Sequence, residues 1–167
     1  MEINLLPIIN YEGKKLPVDY SAALQPRDGD IFEIIQPVHV KGEAVNMGDC
    51  IALTAEGTAY VRMPCDRCTE PAELAVPFTV SERLKKEEAA LPEKAEDEDV
   101  IWFSGNTFDL DSVVYNSLYM SLPSKVLCRE DCKGLCPHCG QNLNFGACGC
   151  DTRQTDPRFA VLDQLDL

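Results

Sequence analysis

From Ile51 to Met63 the chain alternates residue by residue. Ile51, Leu53, Ala55, Gly57, Ala59, Val61 and Met63 fall on one side, and Thr54, Glu56, Thr58 and Arg62 on the other. A period of two over this length predicts a half-buried β-strand, with Gly57 read as a bulge. Residues 72–80 repeat the pattern through Ala72, Leu74, Val76, Phe78 and Val80. Upstream, Ile31 to Val45 is rich in β-forming residues, and Asn46-Met47-Gly48-Asp49 reads as the turn into the next strand. These three segments predict an antiparallel meander, and residues 2–9 read as a further strand.

After Val80 the pattern changes. Residues 85–99 are dominated by Lys, Glu and Asp, with few large apolar groups and one proline, which predicts a solvated acidic linker. Val100-Ile101-Trp102-Phe103 then reads as a short strand returning to the sheet. Asp109 is placed to cap a helix from Leu110 to about Leu122, stopped by Pro123. Leu110, Val113, Val114 and Leu118 share one face of that helix, as expected for packing on a sheet, with Tyr115 and Tyr119 beside them. Asp156-Pro157 starts a last short helix whose Phe159, Leu162 and Leu165 form a stripe, expected to dock on the body. The predicted class is α+β: an antiparallel, barrel-like meander with one packed helix and a cysteine-rich C-terminal module. The predicted division is a β-domain at 1–84, the linker at 85–99, a strand and helix at 100–127, and the module at 128–167.

Charge narrows the partners. The net formal charge is −13, and residues 125–167 hold five basic and six acidic residues, so nearly all the excess lies in 1–124. Such a surface repels phosphate backbones, which restricts any RNA contact to the C-terminal module and favours a basic protein partner. No apolar run approaches the ~18 residues of a membrane span, and the start of the chain has neither a basic region nor a sustained apolar stretch. The expected location is therefore cytoplasmic, where thiols stay reduced.

Nine cysteines in such a chain point to metal rather than disulfides. Eight arrive as close pairs: Cys65-Asp-Arg-Cys68, Cys128-Arg-Glu-Asp-Cys132, Cys136-Pro-His-Cys139 and Cys148-Gly-Cys150. Zinc takes four such ligands in a tetrahedron, usually as pairs on tight turns. One site is read as Cys136, Cys139, Cys148 and Cys150. The second is read as Cys65, Cys68, Cys128 and Cys132, which would tie the C-terminal segment to a hairpin of the sheet. Cys132 could also serve the first site. Two structural zinc ions are therefore expected, with an iron–sulfur cluster as the lesser alternative.

Other readings of these residues are weaker. A redox dithiol at Cys65 and Cys68 would be expected to open a helix, whereas strands flank it here. The C-x₃-C-x₂-C spacing from Cys132 resembles a radical-enzyme cluster loop, but the repeated βα units of those enzymes are lacking. His138 is read as a bystander inside a ligand turn, and His39 as structural. Cys50 is read as a small buried apolar residue. Closed tetrathiolate sites are poor Lewis acids, and two histidines leave few catalytic constellations. The chain is not expected to be an enzyme, and no small-molecule substrate is expected.

Cys65-Asp-Arg-Cys68, the run from Leu127 to Asn144 containing Cys128, Cys132, Cys136 and Cys139, then Cys148-Gly-Cys150 and Asp156-Pro-Arg158 together resemble the bacterial YceD family. That family is described as large ribosomal RNA subunit accumulation protein. The resemblance spans nearly the whole chain. It implies a role in making or stabilising large-subunit ribosomal RNA, on a pre-large-subunit particle, the RNA itself or a basic ribosomal protein. Arg129, Lys133, Arg153 and Arg158 are the candidate RNA-facing groups. Some family members lack the last cysteines, which implies that the site joining hairpin and C-terminal segment is the shared one. An acidic adaptor for a basic protein and a thiol or iron–sulfur redox sensor stand as rival functions.

Overall fold

The computed structural model describes residues 2–87 and 100–150. Along the chain these form β1 (Glu2–Asn4), α1 (Leu6–Ile9), β2 (Lys15–Ala22), β3 (Glu33–Ile34), β4 (Val38–Asn46), β5 (Ile51–Pro64), β6 (Pro71–Lys86), β7 (Val100–Phe103), β8 (Thr107–Asp109) and α2 (Leu110–Met120). The class is α+β, with many strands and few helices. Strands β4, β5 and β6 pair antiparallel in sequence order, which is the predicted meander. At its flanks β2 pairs antiparallel with β4, and β7 pairs parallel with β6. Among the described residues the path β2-β4-β5-β6-β7 is open, so the sheet is not the closed, barrel-like arrangement expected. Strands β1 and β8 form a separate ribbon with Ile3 opposite Phe108.

Alternation decides which face is covered. Ile51, Leu53, Ala55, Ala59, Val61 and Met63 of β5 are buried, as are Ala72, Val76, Phe78, Val80 and Leu84 of β6. Helix α2 covers this face with Leu110, Val113, Val114 and Leu118. Asp109 caps α2 by accepting from the Asp111 N–H at 3.1 Å. The helix is pinned by side-chain clasps as well. The buried Tyr20 of β2 donates its hydroxyl to Asp111, and Tyr115 donates to Asp30. Arg27 lies over the Tyr115 ring at 4.0 Å. Asn46, a buried polar side chain, is satisfied on both ends. Its Nδ2 donates to the Ile8 and Ile9 carbonyls, closing α1, and its Oδ1 accepts from the Gly48 N–H at 2.8 Å.

Several expectations change. Residues 2–9 are a three-residue strand followed by one helical turn, because Pro7 sits at the start of α1 and ends any extended run. Gly57 makes no bulge: it pairs in regular register with Val40 and Phe78. A Cβ there would lie 2.8 Å from the His39 carbonyl and from the Phe78 ring, so close approach of neighbours is what requires glycine. Helix α2 ends at Met120, two residues before Leu122, with Ser121 N–H bonded to the Leu118 carbonyl. Strand β6 continues through Lys86, into the expected linker; the rest of that linker, 88–99, and the C-terminal helix expected after Asp156 lie outside the described residues. No helix among the described residues is long and apolar enough to cross a membrane.

The pairing of β4 with β5 tolerates no side chain at Gly42, where a Cβ would meet the Thr54 carbonyl at 2.0 Å and Ala55 Cα at 2.5 Å. Backbone cannot yield there without parting the strands. Overpacking costs about 1–3 kcal/mol, and Gly42→Ala is expected at or above the upper end in urea unfolding. A loss below about 0.5 kcal/mol, the range of neutral surface changes, would show that the strand spacing relaxes freely.

Candidate metal centres

The β5–β6 hairpin ends in a facing pair of prolines, Pro64 and Pro71. Neither carries an N–H, so the ladder stops and the six residues between them bond differently. Cys65 N–H donates to the Glu70 carbonyl at 2.8 Å, and Thr69 N–H donates back to the Cys65 carbonyl at 2.8 Å. Thr69 takes φ +62°, the left-handed region. The turn at Cys136 repeats this arrangement. Cys136 N–H donates to the Gln141 carbonyl at 2.8 Å, Gly140 N–H donates to the Cys136 carbonyl at 2.9 Å, and Gly140 takes φ +74°. The two C-x-x-C segments thus fold as the same turn, each aiming two sulfurs to one side.

The residues inside the first turn dock the C-terminal segment. Asp66 N–H donates to the Val126 carbonyl at 2.9 Å, and the Asp66 carboxylate accepts from Val126 N–H at 2.5 Å. Arg67 donates to the Cys132 carbonyl at 2.8 Å, while its own carbonyl accepts from Leu135 N–H at 3.1 Å. These contacts bring Cys128 and Cys132 over Cys65 and Cys68.

Two sets of four sulfurs result: Cys65, Cys68, Cys128 and Cys132 in one, and Cys136, Cys139, Cys148 and Cys150 in the other, with the ligand atoms of each set within 4.8 Å of one another. In the first set the Cys65 and Cys132 sulfurs are 3.8 Å apart and those of Cys68 and Cys128 3.5 Å. A tetrahedron with metal–sulfur bonds of ~2.3 Å has sulfur–sulfur edges of about 3.8 Å, whereas a disulfide needs ~2.05 Å. The donor set therefore fits a tetrahedral thiophilic cation, and these distances do not fit disulfides. Neither His138 nor the buried Cys50 belongs to either set.

Electrostatics in each set are divided. Burial raises the Cys65 thiol, but the backbone N–H groups of Arg67, Cys128 and Cys68 outweigh it and bring it down to about 6. The N–H groups of Cys139 and His138 bring Cys136 down to about 6. Burial and the Cys68 sulfur push Cys128 up to about 12, and the Cys139 sulfur and burial push Cys150 up to about 12. Amide donors favour some thiolates, and mutual repulsion and burial resist the others; a cation among them removes that conflict.

Of the candidate RNA-facing residues, Arg129 pairs with Asp131 at 3.5 Å and Lys133 is exposed next to Cys132 of the first set. Arg153 and Arg158 lie outside the described residues. Sequence reading missed Phe145, which is 80% exposed on the loop between Cys139 and Cys148. It also missed Asp66, Arg67 and Asn144, the last donating from Nδ2 to the Cys132 sulfur at 3.4 Å. Phe145 carries no periodic signal, although an aromatic residue in an otherwise polar loop was visible.

Fold and sites together define an open β-sheet protein with two tetrathiol centres able to hold metal, one of them bridging the sheet to a C-terminal segment. The model of the large ribosomal RNA subunit accumulation protein YceD family matches residues 53–166, well over half the chain and all eight paired cysteines. The chain belongs to that family. It is 30% identical over 163 residues to proteins of Mycobacterium tuberculosis and Mycobacterium bovis, covering 86% of this chain and 78% of theirs. A Mycobacterium leprae protein is 24% identical over 113 residues, covering 68% of this chain and 52% of its own. All three relatives are described as uncharacterised. No solved structure matches the chain.

Thr69 does with strain what Gly140 does without it. A β-branched residue in the left-handed region loses about 1–2 kcal/mol, offset on change to glycine by ~0.5–1 kcal/mol of added chain entropy. Thr69→Gly is expected to raise the urea midpoint, by a net of roughly 0.5 kcal/mol. A lowered midpoint would mean that the Thr69 hydroxyl bond to the Cys68 carbonyl, at 2.7 Å, outweighs the strain.

Proposed function

We propose that this protein is a non-enzymatic factor in the accumulation and assembly of large-subunit ribosomal RNA, with two structural zinc ions. The observation that carries this reading is the family match, which runs through the hairpin turn and both cysteine sets. Zinc, when bound, supplies a charge-neutralising crosslink with no open coordination position for water. The chain's own residues then do the rest. Cys65 and Cys68 hold the C-terminal segment to the sheet, and Asp66 and Arg67 fix its register. The location that fits this role is the cytoplasm.

RNA contact belongs to the metal-held segment, the part of the chain least burdened by negative charge. Arg129, Lys133 and the exposed Phe145 offer cations and one stacking surface there. Depleting the protein is expected to lower mature large-subunit ribosomal RNA relative to the small subunit. Wild-type protein should restore the ratio, and a Lys133→Glu, Phe145→Ala double variant should not. An unchanged ratio on depletion removes the hypothesis. The net charge of −13 favours a second reading, an acidic adaptor holding a basic ribosomal protein. A pull-down of ribosomal protein that survives nuclease treatment, with the double variant still active, selects the adaptor.

Structural zinc contributes on the order of 10–16 kcal/mol apparent in small modules, comparable to the ~5–15 kcal/mol net stability of a whole domain. Elemental analysis of untagged protein is expected to give two zinc ions per chain. Cys136→Ser should open amides after about residue 134 to hydrogen exchange and leave the sheet protected. Cys65→Ser should instead free the whole segment from Val126 onward. Identical exchange patterns in the two variants would contradict this division.

A further inference from the structure

The two cysteine sets differ in how they meet solvent. Cys65, Cys68 and Cys132 are each at most 2% exposed, and their set is closed by two distant parts of the chain. In the other set Cys136 is 2% exposed, but Cys139 is exposed and Cys148 and Cys150 are half-buried. All four of the latter come from residues 136–150. Thiolate-bound cations exchange when an incoming ligand reaches the shell. The outer set offers three approachable sulfurs and the inner set one, the half-buried Cys128.

The sets are also linked. Asn144 lies on the loop that the outer set closes, between Cys139 and Cys148. Its Oδ1 accepts from Lys133 N–H at 2.8 Å, and its Nδ2 donates to the inner sulfur of Cys132 at 3.4 Å. The loop is further tied to the inner set by Leu143 N–H on the Gly134 carbonyl at 2.9 Å and by Asn142 Nδ2 on Glu70 at 3.4 Å. A loop held at Cys139 and Cys148 therefore delivers a hydrogen bond to a ligand atom of the neighbouring centre. Hydrogen bonds to metal ligands orient them and tune their donor strength.

We propose that the outer centre is an exchangeable zinc site, and that Asn144 is the positioning residue through which its occupancy tightens the inner centre. This rests on the reading of both sets as zinc sites. Linkage makes the effect reciprocal, so a filled inner centre also tightens the outer one.

The test is transfer of zinc from the loaded full-length protein to excess pyridylazoresorcinol. Two phases are expected, one equivalent each. Cys139→Ser should abolish the fast phase and leave the slow one within about twofold, because in the wild type the outer centre is already empty when the inner one releases. Asn144→Ala should speed the fast phase roughly tenfold or more, the scale of lost hydrogen bonds to metal ligands, because the inner centre is still filled when the outer one releases. Asn144→Asp keeps the acceptor for Lys133 but loses the donor, and should also speed the fast phase. With cobalt(II) in place of zinc, the sulfur-to-cobalt charge-transfer band of the inner centre should shift in Asn144→Ala, which loss of packing alone does not produce. Two equivalents leaving in a single phase overturn the proposal while the zinc reading stands. So does an Asn144→Ala protein whose fast phase and cobalt band match the wild type. Protein that binds no zinc at all overturns both.

Discussion

Four sulfurs within 4.8 Å of one another cannot all carry charge unless a cation sits among them, and this constraint governs residues 126–150. The backbone is arranged for it in advance. In each turn amide groups face the leading cysteine, which lowers the Cys65 and Cys136 thiols, while burial and neighbouring sulfurs raise Cys128 and Cys150. Residues 123–150 contain no helix and one isolated bridge, Leu135 to Asn142. That stretch has little apolar area to bury, so a cation bound there would stand in for a core.

The sheet gives this arrangement a rigid base. A 14-residue strand paired along its length to a 16-residue neighbour places the first turn at a fixed distance from the core. Tyr20 and Tyr115, clasped to Asp111 and Asp30, keep α2 against the covered face. The segment that follows α2 then has a short path to Val126, where Asp66 receives it. The inner centre is consequently a joint between two parts of the fold, and the outer centre is a staple within one part.

Legibility in the sequence followed the strength of the local pattern. The β5 and β6 alternation, the Asp109 cap and the division of eight cysteines into two sets were readable because each rests on short spacing. Strand β2 went unread although Leu16, Val18 and Tyr20 alternate, because Pro17 argues against a strand. At the edge of a sheet, where β2 lies, a missing N–H is tolerated. Gly57 showed the converse ambiguity: a glycine inside a strand signals either a bulge or a close neighbour, and only the register to Val40 and Phe78 decides. Thr69 was invisible for a related reason. A left-handed residue after C-x-x-C is announced when it is glycine, as at Gly140, and hidden when it is threonine.

On the proposed function, the same two turns would let an acidic chain meet a polyanion. Its excess negative charge lies in residues 1–124, while the segment that follows is nearly balanced. Bound metal would leave each tetrathiolate shell with a net charge of about −2, but the amides aimed at the sulfurs spread that charge into the backbone. The loop between Cys139 and Cys148 presents the exposed Phe145, and Lys133 lies exposed between Cys132 and Cys136. On that reading, recognition would be a property of the cysteine-bounded loop rather than of the sheet. The long-range field of the acidic body would then set which parts of an RNA-rich particle can approach, favouring regions where basic protein already offsets phosphate.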